Sequence, residues 1–275
     1  MVTNNHNLPQ VILDCLAEDK HEYKPKRYSV TELINPPRLI MLKRRHEVDE
    51  DASNQLDLLF GNAFHCYIKN HDKSEFAEYK LEAEIDGCTL VGIIDKYTDY
   101  TVIDYKTTSV YKITMQDFTD WKLQGLMYAW LLRQQGLYTA KIQFIAFLKD
   151  WQLSKSKYDS NYPKSKIYVY EHNITASDMI EIEAFIRDRL ATLTACENVP
   201  DDQLPLCTPE ERWSTQTKYA VMKKGRKTAV KVCDTIEDAQ AYGDGYEIET
   251  RVGRDRRCDE YCERRMYCNY KKGAI

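Results

Sequence analysis

The chain has 275 residues, 43% of them hydrophobic and 30% charged, with a net charge of −4; these proportions suit an ordinary globular protein and exclude a fibrous or disordered one. Its first residues, MVTNNHNLPQ, lack a basic segment followed by an apolar run, and no stretch reaches the ~20 apolar residues of a bilayer span. We read the protein as intracellular and cytoplasmic, with its nine cysteines serving as thiols and metal ligands rather than as a disulfide framework.

In chain order, "YSVTELINPPRLIMLKRR" predicts a short helix, a Pro-Pro break and a second helix. In "LDLLFGNAFHCYIKN" the apolar positions Leu59, Phe60, Phe64, Tyr67 and Ile68 recur at helical spacing, which places His65 on a helix. Three strand-like runs follow, "YKLEAEI", "TLVGIIDKY" and "YTVIDYKTT", separated by plausible hairpin turns at Asp86-Gly87 and Thr98-Asp99. They predict an antiparallel meander. Met115 to Gln135 reads as a helix stopped by Gly136, then "YTAKIQFIAFL" and "SKIYVYEH" read as strands. "TASDMIEIEAFIRDRLATLTAC" is a long amphipathic helix opened by Thr175 or Ser177.

At "NVPDDQLPLCTPEERW" the composition turns to Pro, Asp and turn residues, which divides the chain into a core, 1–199, and a lobe, 200–275, expected to pack on it. The lobe predicts a hairpin, "KYAVMKKGRKTAVKVC", a capped helix at "TIEDAQ", a strand, "YEIETRV", and a cysteine-rich tail. From Lys218 onward 14 Lys and Arg face 10 Asp and Glu, a net +4 that leaves −8 on the preceding residues. A basic lobe on an acidic body is a modest hint of a polyanionic partner, since most charge runs are simply solvated faces.

The chemistry concentrates in "VGIIDKYTDYTVIDYKTTS". If the two strands close around Thr98-Asp99, Asp95 lies opposite Val102, and Asp104 and Lys106 share its face. Asp95 and Asp104 are then diagonal neighbours, roughly 7 Å apart at their β-carbons, a gap one divalent cation can span. Two carboxylates this close repel unless something positive lies between them. Mg2+ or Mn2+ takes carboxylate oxygens and leaves positions open for phosphate, while a nearby ammonium orients an attacking water. The competing reading has Asp104 paired with Lys106 and both facing solvent.

Gly61 to His65 (G-x-x-x-H), Gly92 to Asp95 (G-x-x-D), Asp104 to Thr107 (D-Y-K-T) and Gln124 to Tyr128 (Q-G-L-M-Y) follow in that order. This succession resembles the PD-(D/E)xK nuclease superfamily, in its RecB-like branch, over about residues 28 to 150. The resemblance implies an α/β fold, a restriction-endonuclease-like core with a mixed sheet, flanking helices and a C-terminal cysteine-bearing lobe. It implies His65, Asp95, Asp104 and the Tyr105 carbonyl as metal ligands. Asp95, Asp104 and Lys106 would be catalytic, and Gln124 and Tyr128 a helix motif that contacts DNA. Gln124 and Tyr128, four apart, share a helix face in any case, and a packed core histidine is the alternative for His65. Glu82 or Glu84 could supply a further acid.

"RRCDEYCERRMYCNYKK" places Cys258, Cys262 and Cys268 close together, which implies a soft metal wanting a fourth ligand. Several RecB-like nucleases carry an iron-sulfur cluster with the last gap seen here, so the resemblance favours a 4Fe-4S cluster over zinc. The first tail gap differs from that pattern and the usual upstream cysteine is missing. Cys207 is the better fourth ligand than Cys15, because it begins the same lobe. Cys66, Cys88, Cys196 and Cys233 occupy apolar positions and read as packing residues. Arg254, Arg256, Arg257, Arg264, Arg265, Lys271 and Lys272, interleaved with tyrosines, and Lys223, Lys224, Arg226 and Lys227 at the hairpin suit the backbone and bases of single-stranded DNA.

The expectation is a metal-dependent deoxyribonuclease, an exonuclease of recombination, repair or phage replication. It would act on single strands or duplex ends, with a single-strand annealing protein as partner by analogy. A nucleic-acid-binding module that keeps the fold without catalysis is the alternative.

Overall fold

The computed structural model describes residues 2–17 and 23–270. Lys271 and Lys272 of the basic tail lie outside them. Two compact units divide at Asn198, Met1–Asn198 and Val199–Ile275.

The first unit begins with β1 (Val2–Thr3), α1 (Gln10–Ala17), β2 (Arg27–Ser29), α2 (Val30–Leu33), α3 (Pro37–Arg45), β3 (Glu50–Asp51) and α4 (Leu56–His71). It continues with β4 (Ala77–Ile85), β5 (Cys88–Thr98), β6 (Thr101–Thr108), α5 (Val110–Met115), α6 (Thr119–Gln134), β7 (Lys141–Leu148), α7 (Leu153–Tyr158), β8 (Ile167–Asn173) and α8 (Ala176–Cys196). Six strands form one mixed sheet in the order β2-β5-β6-β7-β8, with β4 also paired to β5. The β4–β5, β5–β6 and β7–β8 pairs are antiparallel, whereas β2–β5 and β6–β7 are parallel. This is the mixed α/β sheet with flanking helices expected of a restriction-endonuclease-like core.

Two-residue turns set the register of the meander. Asp86 and Gly87 have φ of 49° and 76°, and Asp99 and Tyr100 have 47° and 56°; two positive φ values in succession match the right-handed twist of a tight hairpin. The second turn therefore falls one residue beyond the expected Thr98-Asp99. Thr98 pairs with Thr101 and Lys96 with Ile103. The register slides by two positions, and because side chains alternate with period two, the face each presents is unchanged.

β7 buries Ile142, Phe144, Ala146 and Leu148 on one face. In the parallel ladder Val102 lies beside Ile142 and Asp104 beside Phe144, so all share that face. α6 covers it: Trp121 stacks on Phe144 with ring centroids 5.4 Å apart. Gly125 lets the helix backbone approach, since a β-carbon there would lie 2.8 Å from Ile142 Cδ1. α8 closes over α6 with Ile182, Ile186, Leu190 and Leu193 buried at helical spacing. Enclosed between sheet and α8, α6 is buried without interruption from Gln124 to Leu132.

The helix expected from Met115 starts at Thr119 instead. Gln116 takes a left-handed φ of 52°, which ends α5, and Asp117 Oδ1 then accepts the Thr119 N–H at 3.1 Å. At the other end Gly136, with φ 79°, donates to Arg133 O and Leu137 donates to Leu132 O, each at 3.0 Å, the paired bonds by which a glycine terminates a helix.

α8 is capped by Thr175, whose Oγ1 accepts the Asp178 N–H at 3.1 Å while Asp178 Oδ2 accepts the Thr175 N–H at 2.9 Å. Asp178 is buried, lies 2.8 Å from Lys122 Nζ on α6 and 3.0 Å from His172 Nε2 on β8, and so ties three elements together. Burial alone would raise its pKa, but the bonds from Lys122, Thr175 and His172 outweigh it and hold the carboxyl below the usual range. Asp178→Asn is therefore expected to cost about 1–3 kcal/mol by urea unfolding at neutral pH. A depressed carboxylate stabilises above the ordinary pKa of about 4 and loses that contribution as acid protonates it. The gap between wild type and variant should narrow below about pH 4, and a pH-independent gap would show that the charge is not involved.

The second unit contains β9 (Lys218–Lys223), β10 (Lys231–Cys233), α9 (Ile236–Gln240) and β11 (Tyr246–Arg251), with sheet order β10-β9-β11. Its core is small: Val221, Cys233 and Ala239, flanked by Tyr219, Tyr246 and Ile248. Polar bonds supplement it. Asp255 accepts from Ser214 Oγ, from Tyr270 OH at 2.9 Å and from Arg212 Nε at 3.3 Å. Cys88, Cys196 and Cys233 are buried as packing residues, but Cys66 is exposed, on a helix that buries none of its residues.

Candidate active site

β5 and β6 carry the carboxylates. One step beyond the Lys96–Ile103 pair, Asp95 falls directly opposite Asp104 rather than diagonal to it. The ladder stops there. Asp95 Oδ2 instead accepts the Tyr105 N–H at 2.6 Å, fixing the carboxylate between the strands.

Asp104 is only 3% exposed. Its Oδ1 accepts from Gln124 Nε2 at 3.2 Å, and Gln124 Nε2 also donates to Tyr128 OH at 3.0 Å. Its Oδ2 lies 2.7 Å from Lys106 Nζ but has no hydrogen bond of good geometry among the described residues, so an ionic contact alone answers it. Burial drives the Asp104 carboxyl above the usual carboxylate range; Lys106 opposes that rise and the Asp95 charge adds to it. Lys106 Nζ also sits 5.7 Å above the centre of the Phe144 ring, with about a quarter of its side chain exposed, 26%.

From α4, His65 Nδ1 approaches Asp95 Oδ1 to 3.1 Å and Glu78 Oε1 to 4.0 Å. The Asp95 hydrogen bond raises the His65 pKa against burial, and burial together with the Asp95 charge raises that of Glu78. The ligand atoms of His65, Glu78 and Asp95 all lie within 4.8 Å of one another, the sole His, Cys, Asp and Glu group so placed among the described residues.

Glu78 is the site residue the sequence did not reveal. The β4–β5 ladder pairs Ala77 with Lys96 and Tyr79 with Ile94 but skips Glu78, whose φ is 50°. A left-handed glutamate costs about 1–2 kcal/mol, and such strain gathers at functional sites. Glu82 and Glu84 lie elsewhere: Glu82 pairs with Arg27 at 2.8 Å, and Glu84 accepts from Thr89 Oγ1 at 2.6 Å. Gln124 and Tyr128, 6% and 4% exposed, turn their polar ends to Asp104 and to each other.

The donors suit a hard divalent cation: three carboxylates, one imidazole, and in Asp104 Oδ2 a buried oxygen lacking a hydrogen bond. The profile of the PD-(D/E)XK nuclease superfamily matches residues 35–269. The chain belongs to this superfamily. Its fold is that of a hydrolytic nuclease, and PD-(D/E)XK nucleases generally use divalent metals. Among solved structures, the protein SSO0001 is 19% identical with a TM-score of 0.45, over 70% of this chain and 87% of that one. LHK-Exo in complex with dAMP is 14% identical with a TM-score of 0.37, over 62% and 89%. A provisionally assigned exonuclease from Eubacterium rectale is 12% identical with a TM-score of 0.31, over 49% and 53%. No curated protein sequence matched. No helix among the described residues is long and apolar enough to cross a membrane.

In this PD-(D/E)XK nuclease Gly92 makes the room that Tyr128 needs. A β-carbon there would fall 2.7 Å from Tyr128 Cε1 and 3.2 Å from Leu131 Cδ1. Gly92→Ala is expected to cost about 1–3 kcal/mol through overpacking. It should also loosen the Gln124 bond to Asp104, so nuclease activity should fall beyond the loss of folded protein. Activity normalised to the folded fraction checks this, and an unchanged value would detach Tyr128 from the site.

In the second unit, Cys207, Cys258, Cys262 and Cys268 are partly buried and none of them forms a disulfide among the described residues. Burial pushes the Cys207 thiol up to about 11, with further upward pressure from Glu211, Cys258 and Cys268, which places those two thiols in its neighbourhood. A tetrahedral zinc with Zn–S bonds of about 2.3 Å would draw its sulfurs to within roughly 4 Å of one another. No three thiols among the described residues stand even within 4.8 Å. A closed zinc site is thus not preformed here.

Proposed function

We propose that the protein is a Mg2+- or Mn2+-dependent deoxyribonuclease of the RecB-like branch, an exonuclease acting on DNA ends in recombination, repair or phage replication. The reading rests on one observation: His65, Glu78 and Asp95 converge within 4.8 Å, beside a buried Asp104 that contacts Lys106 Nζ at 2.7 Å. His65, Glu78, Asp95, Asp104 and the Tyr105 carbonyl would hold the cation. When bound, it supplies Lewis acidity, lowering the pKa of water and offsetting charge on the phosphate.

The chain's own groups do the rest. Tyr105 N–H fixes one Asp95 oxygen and leaves the other facing His65. Gln124, held by Tyr128, pins Asp104 from behind, which makes the pair positioning residues. Lys106 orients the attacking water; its oxygen bonds to phosphorus as the P–O bond to the leaving nucleotide breaks, the water gives up one proton to solvent, and the leaving oxygen takes one up from solvent. The basic residues of the second unit suit the DNA backbone, with Tyr261 and Tyr267 for stacking. Cys207, Cys258, Cys262 and Cys268 would carry a 4Fe-4S cluster, and a single-strand annealing protein is the partner that fits such a nuclease. The cytoplasm is its expected compartment.

End-labelled linear and covalently closed circular DNA, incubated with the full chain plus Mn2+, Mg2+ or EDTA, test the reading. Metal-dependent release of short products from linear DNA alone supports an exonuclease. Equal cleavage of circles would make it an endonuclease, and no cleavage in either metal would leave a nucleic-acid-binding module. Iron and sulfide analysis of anaerobically prepared protein tests the cluster; zinc alone would reject it.

A further inference from the structure

One well-formed cavity lies away from the carboxylates. It has a volume of about 650 Å3 and lies where the end of α6, the entry to β7 and the start of α8 meet. Arg133, on its wall, is nine residues beyond Gln124, about 14 Å along the helix axis. Leu137, Ile174, Met179 and Ile180 make its apolar walls, and no acidic side chain among the described residues lines it.

Two polar groups face no partner. The exposed Arg133 guanidinium makes no hydrogen bond or ion pair among the described residues, while Glu183, an acid that feels its charge, is already bound by Arg187 at 2.9 Å and Trp130 at 3.3 Å. Thr139, only 8% exposed, lines the cavity, and its Oγ1 is buried without a hydrogen-bond partner. A buried unpaired hydroxyl is costly enough to call for an explanation. Ala176 adds the first turn of a 21-residue helix; Thr175 Oγ1 caps the Asp178 N–H there, while the Ala176 and Ser177 N–H groups have no intrahelical acceptor. The Asp178 carboxylate in that turn does not repel an anion strongly, because Lys122 answers it at 2.8 Å.

We propose that this cavity binds a small amphipathic anion, a phosphate monoester or carboxylate on an apolar body. Arg133 and the start of α8 take the anionic head, Thr139 turns about one bond to donate to it, and the apolar walls take the body. The volume falls within the range of small-molecule sites, about 300–1,000 Å3.

Calorimetry on the full chain in EDTA, which prevents metal-mediated phosphate binding, tests this with phenyl phosphate, octanoate, phenol and inorganic phosphate. Phenyl phosphate or octanoate should bind one to one, at least tenfold tighter than phenol or inorganic phosphate, and the tighter of the two identifies an aromatic or an aliphatic body. Arg133→Gln should weaken that binding at least tenfold. Thr139→Val should leave the ligand-free Tm unchanged or higher while shrinking the ligand-induced shift. Absence of binding by both anions, equal binding of phenol, or an undiminished affinity in Arg133→Gln would overturn the proposal. A lowered ligand-free Tm in Thr139→Val would do the same for the role of Thr139.

Discussion

Asp104→Asn is expected to abolish metal-dependent cleavage, by about 1,000-fold or more, while leaving the metal-free protein as stable as wild type or up to about 1 kcal/mol more stable. The two effects separate because Asp104 serves chemistry at the expense of folding. It is 3% exposed and faces the Asp95 charge, and both conditions disfavour its ionised form. Asparagine keeps the shape and can still bond Gln124, and Lys106, 26% exposed, can turn to water. The pH dependence follows from the raised pKa. Between the unfolded pKa of about 4 and the higher folded value, the native state holds its proton longer. Wild-type stability in EDTA should therefore fall as pH rises through that window, and Asp104→Asn should lack the fall. Urea unfolding across pH, paired with a cleavage assay, measures both; an active or strongly destabilised variant would remove Asp104 from the centre of the site.

Lys106→Met should reduce cleavage by about 100- to 10,000-fold and, unlike Asp104→Asn, cost about 3 kcal/mol of stability. It removes the one cation within 2.7 Å of a buried carboxylate oxygen that has no other answer among the described residues. Uncompensated buried charge is what makes breaking one side of such a pair expensive. The double variant Asp104→Asn with Lys106→Met should recover to within about 1 kcal/mol of Asp104→Asn alone and remain inactive. That coupling, read from a double-mutant cycle, distinguishes an ion pair from two independent side chains.

The sequence carried the site's face but not its full membership. Asp86-Gly87 is a turn any reading would accept, whereas Asp99-Tyr100 needs a tyrosine at φ 56°, which residue preferences do not favour. The resulting displacement is even, so Asp95 and Asp104 stay together. The β2–β5 pairing, Tyr28 with Leu90, joins segments far apart in sequence, and three residues are too few to show alternation. Glu78 escaped for another reason. Its place in "AEYKLEAEI" looks like any strand glutamate, and only the backbone turn at φ 50° sends it to His65. The motif pair Gln124 and Tyr128 was legible as sharing a helix face, but its burial depends on α6 being enclosed on both sides.

The strand order also fixes a sequence in time. Glu78, Asp95 and Asp104 lie on strands joined by two-residue turns, which close within microseconds, while β6 meets β7 only after the chain from Ser109 to Ala140 has wound back through α6. Refolding should therefore show protection of the β4–β6 amides before Trp121 and Trp130 lose their contact with solvent, so that the acidic strands assemble first and the helix that steadies Asp104 arrives last.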